Sequence, residues 1–140
     1  MNFPKLIPVF PLSNFIMFPN TSVPLNIFEP RYIDMINDTM KAEKLIGMIQ
    51  PKKKIDENSK IPELHKIGCL GKIVSFKETE NGTFLIELKG LIRFSMLKEM
   101  ESVKKYRICE VDYSDFKQDL ETTKGNIKAN TKRKDNVVEM

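Results

Sequence analysis

Residues 8–32 read PVFPLSNFIMFPNTSVPLNIFEPRY, and the way this stretch divides decides the fold. Prolines at positions 11, 19, 24 and 30 punctuate short apolar runs. Proline fixes φ and removes a backbone donor, so none of them fits the middle of a paired central strand. Three short extended pieces are therefore expected, Ile7–Phe10, Phe15–Phe18 and Val23–Phe28, rather than one long element. Pro19-Asn20-Thr21-Ser22 has the composition of a turn. In Glu29-Pro30-Arg31-Tyr32 a proline stands where a first helical position needs no N–H, which predicts a helix start.

From Pro30 the period changes. Tyr32, Met35, Ile36, Thr39 and Met40 share one helical face, with Asp34, Asn37, Asp38 and Lys41 on the other. Leu45–Gln50 reads as a buried strand stopped by Pro51, and Lys52–Pro62 as a polar loop. Leu64–Glu78 is a long strand region in which Gly68 and Gly71 mark a bulge or a close backbone approach. Glu80-Asn81-Gly82-Thr83 carries the Asn-Gly signal of a tight hairpin. The chain returns through Thr83–Leu88, breaks or bends at Gly90, and continues through Leu91–Leu97. Tyr106–Tyr113 alternates apolar and polar residues, as a half-exposed strand does. After Leu120 the large apolar residues thin to Ile127, Val137, Val138 and Met140, so a disordered or fraying tail is expected over 121–140.

Three stretches in this order resemble the Lon-type N-terminal domain, the non-catalytic front end of the ATP-dependent Lon proteases. They are Pro8–Tyr32 as quoted, IGCLGKIVSF (Ile67–Phe76) and GTFLIELKGLIRFSML (Gly82–Leu97). The chain looks like the small stand-alone bacterial proteins that carry this domain without ATPase or protease. The likeness runs roughly from Ile7 to Leu120, which makes 1–120 the domain and 121–140 a polar tail. Family members usually continue into a long helical part, of which the tail would be the start. The expected fold class is α+β: a mainly antiparallel, strongly bent sheet with one main helix. Its closure into a small PUA-like pseudo-barrel is what the resemblance implies.

Composition narrows the function. A chain of 140 residues with 41% hydrophobic and 30% charged residues is one globular domain rather than a disordered segment. No apolar run approaches the roughly 20 residues of a spanning helix, so no membrane partner is expected. MNFPKLIPVFPL lacks a charged start followed by an unbroken apolar run, so no signal peptide and a cytoplasmic location are expected. Two cysteines are too few for a disulfide scaffold. The net charge of +4 comes as +2 from residues 51–66 and +2 from 121–140, a loop and a tail, while the rest balances. Lysines outnumber arginines 19 to 4, whereas arginine is the usual specialist for phosphate, so nucleic acid is not the favoured partner.

Catalysis finds little footing. There is no G-x-x-x-x-G-K-[ST] phosphate loop and no serine in a G-x-S-x-G elbow, so no enzyme and no cofactor are expected. His65 and Cys69 have no nearby third ligand, which leaves Cys69 as a small buried strand residue and predicts no metal. Glu29, Arg31 and Arg93 are able to grip a peptide backbone or terminus. The simpler reading is that Glu29 and Arg31 fix the strand-to-helix corner while Arg93 satisfies carbonyls at a strand end. The better candidate is Asn14-Phe15-Ile16-Met17-Phe18. Alternation puts Phe15 and Met17 on one side and Ile16 and Phe18 on the other. One pair would enter the core, and the other would form an apolar strip with an adaptable methionine, suited to unfolded polypeptide. Phe15, Met17 and Phe18 are the candidate polypeptide-binding residues. The resemblance implies a module that binds unfolded or damaged polypeptide without cutting it, alongside an ATP-dependent protease. The alternative is an RNA-binding PUA-like module, which predicts a contiguous basic surface and salt-sensitive affinity.

Overall fold

A computed structural model describes residues 2–13, 15–52, 63–121 and 137–140. Strands β1 (Leu6–Pro11) and β2 (Ser22–Ile27) precede helix α1 (Pro30–Met40), which leads to β3 (Leu45–Pro51). Strands β4 (Leu64–Glu78), β5 (Phe84–Met100) and β6 (Arg107–Asp112) follow. A 3-10 turn (Ser114–Phe116), the short helix α2 (Gln118–Glu121) and β7 (Val138–Glu139) come last. The strands form one sheet in the order β4-β3-β1-β6-β5-β2-β7. Because β5 also pairs with β4, the pairing that leaves β4 through β3 returns to it.

The sheet is mixed rather than purely antiparallel: β1 runs parallel to β3, and β2 parallel to β7. Between β1 and β3 the chain passes through β2 and α1, a crossover long enough for parallel pairing. Helix α1 has Glu29 as its N-cap residue in extended conformation and proline in its first turn. It buries Tyr32, Met35, Ile36 and Thr39, the face read from its spacing. That face enters a core with Phe10, Leu25, Ile86 and Leu88. Ile7 and Val9, alternate on β1, turn to a second cluster with Leu70, Ile92, Phe94 and Val111.

Strand β5 organises the rest. Its first half lies between β2 and β4, with Ser22 opposite Lys89 as the last β2 pair. Its far half pairs with β6, beginning at Ser95 opposite Asp112, where the pairing with β4 ends at Ile67. Residues 90–94 thus have neither β2 nor β6 as partner; the backbone of Asn20 and Thr21 meets this edge at Gly90, and the Asp119 carboxylate meets it at Arg93.

Two expectations are corrected, and a third takes a specific form. Phe15–Phe18 is not a strand. Leu12 and Asn20 on either side of it bond the carbonyls of Ile49 and Gly90, so it crosses from β3 to β5 rather than running along either. At the β4–β5 turn only Gly82 adopts a left-handed conformation, φ 80°, while the Thr79 N–H bonds the Thr83 carbonyl (2.9 Å). The hairpin expected at Asn81-Gly82 is thus present, as a three-residue loop, residues 80–82, that ends on a left-handed glycine. Finally, the tail does not end frayed. Met140 is buried, donates its N–H to the Asn26 carbonyl (2.7 Å) and accepts from the Phe28 N–H (2.7 Å). The exposed edge of β2 gives its few apolar residues somewhere to go. Residues 53–62 of the expected Lys52–Pro62 loop, Asn14 and residues 122–136 lie outside the described residues.

Candidate functional site

The segment Phe15–Thr21 is held against β5 at Gly90. The Asn20 N–H donates to the Gly90 carbonyl (2.9 Å) and the Gly90 N–H to the Thr21 carbonyl (2.8 Å). Asn20 takes φ 65°, and Thr21 closes the turn onto the Phe18 carbonyl through its N–H (3.3 Å) and its hydroxyl (2.7 Å). Pro19 followed by a left-handed Asn20 is the residue order of a type II turn. The turn is therefore Phe18–Thr21, one residue earlier than its composition indicates.

This anchoring decides which side chains face out. Met17 is buried in the core and Phe15 packs partly against it. Ile16 and Phe18 are 59% and 56% exposed. The alternation read from the sequence thus survives without a strand, and the outward pair is Ile16 with Phe18. Phe15 and Met17 bear on the site from beneath.

Beside this segment lies a groove of about 490 Å³, reaching to the middle of β3 and the start of β4. Met48, Ile49, Gly68 and Cys69 belong to its lining, together with Phe15, Ile16, Met17 and Phe18. Ile67, on the same lining, is 47% exposed. A Cβ on Gly68 would stand 2.5 Å from the Phe94 ring and 2.7 Å from the Met48 carbonyl, so β4 approaches β3 and β5 here only as glycine. Burial pushes the Cys69 thiol up to about 12, which keeps it neutral and makes it an apolar lining group rather than a nucleophile.

The polar lining comprises Gln50, Lys52, His65, Lys66 and Arg93. Two of the charges have local partners. Lys52 meets Glu63 at 3.3 Å. Arg93 grips Asp119 with Nε on Oδ2 (2.9 Å) and Nη2 on Oδ1 (2.7 Å), its guanidinium lying 4.8 Å from the Phe116 ring centre. Arg93 therefore binds a carboxylate, correcting the expectation that it satisfies carbonyls. Glu29 and Arg31 pair with each other beside Tyr32, and the Glu29 carbonyl accepts from the N–H groups of Tyr32 and Ile33. They are corner residues, and Arg93 belongs to a different ion pair. His65 is an exposed residue of β4, and among the described residues no group of three possible metal ligands converges. No helix of the described residues is long and apolar enough to cross a membrane.

The family model of the ATP-dependent protease La (LON) substrate-binding domain matches residues 6–139. The chain belongs to this Lon family. It is 28% identical over 108 residues to a Lon protease of Flavobacterium johnsoniae, covering 77% of this chain and 13% of that protein. A Lon protease of Anaeromyxobacter dehalogenans is 25% identical over 95 residues, covering 68% and 11%. The chain thus spans only a small fraction of these Lon relatives, and the part it matches is their non-catalytic substrate-binding domain. The fold is similar to the crystal structure of a Lon N-terminal domain protein from Xanthomonas campestris (TM-score 0.63, 23% identity, 79% of this chain and 60% of that one). It is also similar to the N-terminal domain of Mycobacterium avium complex Lon protease (TM-score 0.60, 15% identity, 78% and 54%).

Sequence reading found the Phe15–Phe18 run but not the anchor that aims it or the groove beside it. Gly90 was visible as a break in β5. Nothing local marks it as the place where another backbone crosses.

Proposed function

We propose that this chain is a non-catalytic Lon-type module that captures unfolded or damaged polypeptide at the groove beside Phe15–Phe18, and hands it to an ATP-dependent protease in the cytoplasm. The observation that carries this reading is the outward placement of Ile16 and Phe18 on a backbone pinned at Gly90, next to an apolar groove. Phe15 and Met17 support the strip from the core side. The returning strand pairing is read as the closure of a PUA-like pseudo-barrel over 1–120, a rigid base for such a strip.

Covering two large apolar side chains yields about 4 kcal/mol at most, which corresponds to roughly millimolar affinity for one segment. Weak, shape-tolerant capture suits a module that meets many unfolded sequences. A proteolytic partner holding the same chain would raise the effective affinity.

The test is a fluorescence-anisotropy titration with a labelled, permanently unfolded polypeptide at low and moderate salt, with single-stranded RNA as competitor. Binding is expected to persist in salt, to ignore RNA and to weaken about tenfold in Ile16→Ser/Phe18→Ser. Because both side chains are exposed, the stability of that variant in urea unfolding should stay within about 0.5 kcal/mol of the parent. Binding that collapses with salt and is displaced by RNA would transfer the chain to the RNA-binding reading. Unchanged binding in the double variant would remove the groove from the proposal.

A further inference from the structure

The outer edge of β2 is occupied by a short piece of chain very distant in sequence. Leu25 and Asn26 pair in parallel with Val138 and Glu139. The Met140 backbone bonds on both sides, to Asn26 and Phe28, and its side chain enters the main core cluster. The Asn26 side-chain amide donates to a Glu139 carboxylate oxygen at 2.8 Å. Val138 packs partly against the same core, while Val137 is 45% exposed. The contact is an apolar residue, an acidic residue and an apolar anchor laid on a sheet edge, the geometry by which extended peptides are recognised.

Upstream of this contact the edge stops accepting a strand. Pro24 has no N–H to offer a partner, and prolines in sheets belong on such edges. Next to it a cleft of about 200 Å³ is lined by Phe15, Ile16, Phe18, Thr21, Ser22, Val23 and Val138. An incoming chain parallel to β2 would pass this cleft before reaching Asn26, and so would meet the other side of the Ile16–Phe18 strip.

We propose that the β2 edge from Leu25 to Phe28 is a second polypeptide-docking surface, which takes an extended apolar–acidic–apolar segment of a separate protein in parallel register, and that Val138–Met140 occupies it in cis. The inference rests on the reading of the chain as a polypeptide binder but assigns capture to a surface distinct from the groove. A two-residue ladder with one anchor side chain is a small contact, so the tail and an external segment compete for one edge. The apparent dissociation constant of the segment is then its intrinsic value divided by the fraction of molecules with the edge open.

The experiment is an NMR titration of the full chain, wild type and Met140→Ser, with the acetylated peptide Val-Val-Glu-Met. Shifts of the Asn26, Ile27 and Phe28 amides report the edge. Removing the anchor is expected to lower the apparent dissociation constant about tenfold or more, and replacing the peptide's Glu by Lys should raise it. Equal, negligible shifts in both proteins would overturn the proposal. Should Met140→Ser fail to fold, amide exchange on the wild type decides. The Phe28 and Met140 amides should exchange at least tenfold faster than Leu25 and Ile27, which face β5, and equal protection would overturn the claim of competition. A wild-type dimer in sedimentation that is lost in Met140→Ser would place the tail of a second copy on the edge instead. The two readings fail separately, since Ile16→Ser/Phe18→Ser tests the groove and this peptide tests the edge.

Discussion

Gly90→Ala is expected to destabilise the chain by about 3 kcal/mol, near the upper end for overpacking, read as a lower urea midpoint with unchanged slope. A Cβ at this position would stand 2.2 Å from the Phe18 carbonyl oxygen, 3.0 Å from the Phe18 carbonyl carbon and 3.3 Å from the Pro19 Cα. All three neighbours are backbone, so no rotamer change relieves the contact. Either β5 shifts, disturbing its pairing with β4, or the Phe18–Thr21 turn lifts away and gives up its two hydrogen bonds to Gly90. The second path also displaces Ile16 and Phe18, so capture of unfolded polypeptide should fall even where the variant remains folded. Gly82 supplies the contrast. It has φ 80° but nothing within 4 Å of its would-be Cβ, so Gly82→Ala meets only the conformational penalty of about 1 kcal/mol. If the two alanine variants prove equally stable, the close crossing at Gly90 is wrong and with it the account of what aims the strip.

That pair of glycines also marks how far the sequence is legible. Gly82 follows an Asn at a hairpin tip, a local pattern with a local cause, and it was readable. Gly90 is needed because a segment about seventy residues earlier passes over it, and no local pattern carries that information. Helix α1 was readable because burying one face writes itself into the spacing of Tyr32, Met35, Ile36 and Thr39. Phe15–Phe18 has the apolar content of a strand but crosses from β3 to β5 without running along either, and that placement is a tertiary property. Its inside–outside phase was still legible, because a pinned extended backbone alternates whether or not it is paired. Choosing between the two sides required the position of the core, which excluded Met17 from the exposed strip and brought in Ile16. Strand β7 was missed for the same reason. Two residues have no periodicity, and Val138 and Met140 acquire meaning only against the edge of β2.

Asp119 is a further residue whose role is entirely long-range, and its partner gives the second large effect. Its carboxylate fills the stretch of the β5 edge that neither β2 nor β6 covers. It accepts the Arg93 backbone N–H (3.0 Å) besides the two guanidinium bonds. These hydrogen bonds, the Arg93 side chain foremost, hold its carboxyl below the usual carboxylate range. A depressed folded-state value means that this contribution is fully present above the unfolded value of about 3.9 and is lost as pH falls through the folded value. Arg93→Met removes the guanidinium and its two hydrogen bonds from the buried carboxylate, while the backbone N–H bond stays. The expected loss at pH 7 is about 2 kcal/mol, below the usual figure for breaking a fully buried pair. The reason is that the Arg93 side chain is 41% exposed and partly solvated already. In the variant the strongest influence holding the Asp119 carboxyl down is gone, so its value should move up toward the unfolded one. The parent then loses stability as pH falls below about 4 and the variant loses less, so the deficit should shrink between about pH 4 and the parent's depressed value. Adding Asp119→Asn to Arg93→Met should recover stability at pH 7 and abolish the pH dependence of the deficit. A deficit of the same size at pH 7 and well below pH 4, unrelieved by Asp119→Asn, would mean that Arg93 acts through its packing on Phe116 and not through the buried charge.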